Sequence, residues 1–78
     1  MEKTYHGFET IVGKHLKEIR IQKELSQEEL SLQAGLDRSY ISMVERGKRN
    51  PTLLVIFKIC EVLEIRPHEL IKNIEKDL

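Results

Sequence analysis

Residues 26–47 read SQEELSLQAGLDRSYISMVERG, and this stretch decides the fold. Ser26 is followed three residues later by Glu29, a capping box in which each side chain satisfies the other's backbone N–H. A short helix over 27–34 follows, with Leu30 and Ala34 pointing inward. Gly35 stands where a residue in the left-handed conformation stops it. After Leu36, Asp37 is placed to cap a second short helix over 38–46 that ends at Gly47. Ile41 and Val44, spaced i, i+3, are its inward residues. Arg38, Ser39, Ser42, Met43 and Arg46 are left on faces that a core does not need.

Working outward, apolar residues recur at helical spacing before this pair: Phe8, Ile11, Val12, Leu16 and Ile19, with Lys14, Lys17, Glu18 and Gln22 opposite. A helix over 8–23 is expected, preceded by a flexible arm over 1–7. Beyond the pair, Asn50-Pro51-Thr52 reads as a loop. Thr52 then caps a helix over 53–63 so apolar that it needs a second buried face. Pro67, at the first position a helix tolerates, opens a last helix over 67–76. The expectation is a compact all-α domain of five helices over 8–78.

Composition narrows the function. The chain has 78 residues, enough for one domain whose small core benefits from an oligomer interface. Lys+Arg and Asp+Glu are 13 each, so a uniformly basic nucleic-acid-coating protein is excluded. The charges are polarised, however. From Arg38 to Asn50 the only acid is Glu45, against Arg38, Arg46, Lys48 and Arg49. Cys60 is alone, so no disulfide or thiolate metal cluster is possible within one chain; a buried small hydrophobe is the expectation. Met1 to Gly7 is polar and no apolar run has membrane-spanning length, so a cytoplasmic location away from membranes is the expectation. His6, His15 and His68 share no spacing, and no nucleophile–base grouping or phosphate loop stands out. Neither enzyme, metal nor cofactor is expected.

Two short helices joined by a tight glycine turn, the second with small polar and basic residues on its free face, describe a helix-turn-helix that reads double-stranded DNA. The turn projects the second helix into a major groove about 12 Å wide. Ser39 and Ser42 keep the inserted face slim, and Arg38 reaches base edges. A cation at a helix N-terminus is mildly unfavourable, so Arg38 has another reason to be there. Tyr40 suits packing and DNA contact equally. Lys48 and Arg49, in a loop beside a reading helix, meet phosphate.

The segments RIQKELSQEEL (20–30) and AGLDRSYISMVERGKRNP (34–51) resemble the phage-repressor (Cro-like, XRE) helix-turn-helix family, with Gln27, Gly35, Ile41, Glu45, Gly47 and Pro51 at the family's spacings. Residues 36–42 are most similar to the controller proteins of restriction–modification systems. The resemblance implies a sequence-specific transcriptional regulator that binds a near-palindromic operator as a homodimer and blocks or contacts RNA polymerase. It implies that Gln27 contacts a phosphate and buttresses a reading side chain, and it implies base or sugar–phosphate contacts from Arg38, Ser39, Tyr40, Ser42 and Met43. Arg46, Lys48, Arg49 and Asn50 would hold the backbone. Met43 departs from the polar residues usual there, leaving it a thymine methyl to touch or space to fill. The resemblance also pairs Glu45 with Arg20, a structural role. Leu54, Phe57, Ile65, Leu70, Ile71 and Ile74 exceed what one small core needs and are expected at the dimer interface. The competing reading is a protein-interaction module, such as an antitoxin, built on the same fold.

Overall fold

An amphipathic stripe, a capping box and a helix-opening proline each leave their mark in the computed structural model, which describes residues 5–78. Its helices are α1 (Phe8–Gln22), α2 (Gln27–Ala34), α3 (Arg38–Glu45), α4 (Leu53–Leu63) and α5 (Pro67–Lys76). Of the expected arm, residues 1–4 lie outside the described residues. Tyr5 to Gly7 form a turn into α1, with the Tyr5 ring edge-on to Phe8 at 6.2 Å between centroids.

The caps explain the short helices. Ser26 Oγ accepts the Glu29 N–H at 3.0 Å and Glu29 Oε1 accepts the Ser26 N–H at 2.9 Å. Gly35 adopts φ 70°, and the Leu36 N–H then closes α2 on Ser31 O at 2.8 Å. Thr52 Oγ1 caps α4 through the Val55 N–H at 3.2 Å. Asp37 does not behave as expected. Its backbone is extended as a cap requires, but its side chain makes no capping hydrogen bond. Arg38 and Ser39 are exposed, so solvent can serve the first-turn N–H groups instead.

Ser26→Ala is therefore expected to cost about 1 kcal/mol, read from a urea titration. The Ser26 backbone N–H, followed by its hydroxyl, holds the Glu29 carboxyl below its usual range. The lowered folded value means the cap's contribution is complete above the ordinary carboxylate pKa. It is lost as pH falls through that lowered value. The difference between Glu29→Ala and parent should accordingly shrink in acid, whereas Ser26→Ala keeps the backbone N–H that is the larger cause.

Val12, Leu16 and Ile19 of α1 share one buried cluster with Leu30, Ile41 and Val44 of the α2–α3 pair. Ile56, Ile59, Cys60 and Leu63 of α4 and Leu70 and Ile74 of α5 complete the core. Burial pushes the Cys60 thiol pKa up, in keeping with a packing role. Ala34 is only half-buried, while Ser31 is buried with its hydroxyl on Glu28 O at 2.9 Å. The α5 helix leans on α1 more than on α4, and His15 Nε2 meets Asp77 Oδ2 at 2.6 Å across that junction.

This placement corrects the expected interface. Leu70 is 0% exposed and Ile74 7%, because their i, i+4 stripe is what docks α5 on α1. Ile65 is half-buried against the core. Leu54 at 65%, Phe57 at 52% and Ile71 at 47% remain exposed, and Leu53, at 65%, joins them. Among the described residues, no helix is long and apolar enough to cross a membrane.

Candidate nucleic-acid interface

The face of α3 turned away from the core is shallowly concave. Arg38, Ser39, Ser42, Met43 and Arg46 line a hollow of about 330 Å³. The core seats Ile41 and Val44, which leaves these neighbours turned outward or half-buried. Its lining thus combines two guanidinium-bearing residues and two small hydroxyl residues with the apolar Met43. Arg46 Nε lies 3.4 Å from Ser42 O, a loose contact that leaves its charge outside.

The loop that follows extends the basic edge. Lys48 and Arg49 are exposed, and the Lys48 N–H closes α3 on Met43 O at 2.8 Å. The Arg49 guanidinium carbon sits 4.9 Å from the Tyr40 ring centroid, within cation–π range. Tyr40, half-buried, thus packs on the core with one part and carries Arg49 with another. Asn50 Nδ2 donates to Glu9 Oε1 at 3.1 Å, fastening the loop to the first turn of α1. Nothing local announces Glu9 as that partner, since the two are distant in sequence and meet only through the α1–α3 crossing.

Behind the hollow lies a polar cluster that holds α3. Arg20 Nε donates to Glu45 Oε2 at 2.6 Å and Arg20 Nη2 to Glu45 Oε1 at 2.9 Å. Their side chains are 10% and 3% exposed. The third guanidinium arm, Nη1, donates to Leu25 O at 2.8 Å, so one residue of α1 grips both the α1–α2 turn and the end of α3. The Glu45 hydrogen bond is the main cause of a raised Arg20 pKa. Gln27 Nε2 donates to Glu45 Oε1 at 3.0 Å. Its support therefore goes to the buried carboxylate, a partner that the sequence reading did not assign. Among the described residues, no group of three His, Cys, Asp or Glu side chains is arranged to hold a metal.

An α2–turn–α3 unit on α1, with a polar and basic hollow on the outer face of α3, is the architecture of a helix-turn-helix regulator. Residues 16–70 match the family described as Helix-turn-helix, and the chain belongs to it, a family of DNA-binding regulators rather than enzymes. Within that class its likeness is to restriction–modification controllers. It is 46% identical over 66 residues to the control protein C.MunI of a Mycoplasma species, covering 83% of this chain and 89% of that one. Identity to control protein C.BamHI of Bacillus amyloliquefaciens is 40% over 62 residues, covering 78% and 76%. The crystal structure of the restriction–modification controller protein C.AhdI from Aeromonas hydrophila has a TM-score of 0.77 and 48% identity. It covers 80% of this chain and 94% of that chain. The likeness read from residues 20–51 is confirmed.

Proposed function

We propose that this protein is a controller-type transcriptional regulator that binds a near-palindromic operator as a homodimer, in the cytoplasm and without a cofactor. It acts by occupying a promoter, where it blocks or recruits RNA polymerase. The observation that carries this reading is the hollow of Arg38, Ser39, Ser42, Met43 and Arg46, bordered by Lys48 and Arg49. In it, Arg38 meets guanine O6 and N7 with two parallel hydrogen bonds, and Met43 touches a thymine methyl. Ser39, Ser42 and Tyr40 contribute base or sugar–phosphate contacts. Arg46, Lys48, Arg49 and Asn50 hold the backbone. Gln27 keeps a second amide N–H beside the one on Glu45, and that second donor serves a phosphate. The partner copy is met through Leu53, Leu54, Phe57 and Ile71, an apolar group exposed on α4 and α5. A two-fold dimer would set the reading helices about 34 Å apart.

Reading and holding are separable by titration on a site selected from random duplexes and on its single-base variants. Arg38→Ala is expected to relax preference at one base pair per half-site, by about 1–3 kcal/mol of discrimination. Lys48→Ala should weaken all sequences evenly and reduce the salt slope by about one unit per lost contact. Equal weakening of every variant by Arg38→Ala would move base reading to Tyr40, Ser42 or Met43. Unchanged DNA binding in both would favour a protein-interaction module.

A further inference from the structure

We infer that Gly13 is a positioning residue for DNA reading: by carrying no side chain it seats the end of α3 directly on α1 and so fixes the depth of the reading face. Gly13 lies inside α1, where a glycine weakens a helix and an alanine would strengthen it. Its environment explains the choice. A methyl carbon on Gly13 would lie 2.2 Å from Val44 O, 2.8 Å from Glu45 O and 3.0 Å from Glu45 C. All three are backbone atoms, so no rotamer change relieves the clash. The two helices must separate or slide, because packed interiors yield little.

Neighbouring contacts belong to the same seat. One turn earlier on α1, Thr10 faces Gly47, where a β-carbon would lie 2.8 Å from Thr10 Oγ1 and 3.0 Å from Thr10 Cα. Glu9 holds Asn50 just beyond. Two turns after Gly13, Arg20 holds the carboxylate of Glu45, the residue whose carbonyl rests at Gly13. The last residue of α3 is thus fixed at both its backbone and its side chain. Arg38, Ser39, Ser42 and Met43 ride on the same short, stiff helix. A displacement of its C-terminal end re-aims all of them, and directional base contacts tolerate only about half an ångström of error.

The inference rests on α3 being the reading helix, and the test keeps the two ideas apart. The quantity measured is affinity for the selected operator divided by affinity for a scrambled duplex, at a temperature where circular dichroism shows folded protein. Mere loss of stability lowers both affinities alike and leaves the ratio unmoved. Gly13→Ala is expected to reduce the ratio roughly tenfold or more, the scale of losing one good base contact. Leu63→Ala, a core truncation in α4 away from the seat, should leave it at the parental value. If Gly13→Ala does not fold, Gly47→Ala pushes on Thr10 at the same end of α3, together with the strain of an alanine at φ 72°, and should also lower the ratio. A parental ratio in a folded Gly13→Ala or Gly47→Ala protein would overturn the inference. A parent protein with no preference for its selected site would instead overturn the DNA-reading assignment, and the inference with it.

Discussion

Glu45→Ala is expected to lower the unfolding free energy by about 3–5 kcal/mol, the usual result of removing one partner of a buried ion pair. The substitution leaves Arg20 with only the Leu25 carbonyl for its guanidinium, and Gln27 loses its acceptor as well. A domain of this size has a total stability of about 5–15 kcal/mol, so the variant would stand close to unfolding. Glu45→Gln keeps an acceptor and the shape, and should lose less. The double variant Arg20→Ala with Glu45→Ala should be more stable than the sum of the single losses implies, since no unpaired charge is then buried. Urea titrations of these proteins, with Arg20→Ala alone to complete the cycle, measure this. A Glu45→Ala midpoint equal to the parent's would reduce the pair to an incidental contact. The parent's midpoint should also change little with salt, because a buried pair is poorly screened.

The second large effect concerns the exposed apolar face. Phe57→Asp is expected to give a folded monomer whose operator affinity falls by roughly 10²–10⁴, the advantage that linking two binding units confers. Phe57 is half exposed, so an aspartate there stays solvated in the monomer and is desolvated only when a second copy covers it. Leu54→Asp should act in the same way. Ile74→Asp is the contrasting case: its side chain sits in the core, and the expected result is loss of folding. Sedimentation at high micromolar concentration, with circular dichroism beside it, separates the two outcomes. A parent protein that sediments as a monomer with and without DNA would count against the dimer.

The helices themselves were legible in the residues, because their determinants are local. The capping box at Ser26 and Glu29, the left-handed Gly35, Thr52 and the first-turn Pro67 each act within a few residues, and the expected ends fall within a residue of those observed. Asp37 shows the limit of such signals: its backbone takes the extended cap conformation, yet its side chain makes no capping bond. The outward set on α3 was equally legible, since seating Ile41 and Val44 in the core turns Arg38, Ser39, Ser42, Met43 and Arg46 toward the hollow. The apolar residues of α4 and α5 were not divisible in this way. Periodicity says which of them share a stripe but not what the stripe meets. Only the docking of α5 on α1 buries Leu70 and Ile74 while leaving Leu53, Leu54, Phe57 and Ile71 outside. The links of Gln27 to Glu45, Asn50 to Glu9 and Gly13 to the Val44 carbonyl have the same origin. Each joins residues apart in the chain: the first is set by how α2 packs on α3, the other two by how closely α1 and the end of α3 cross.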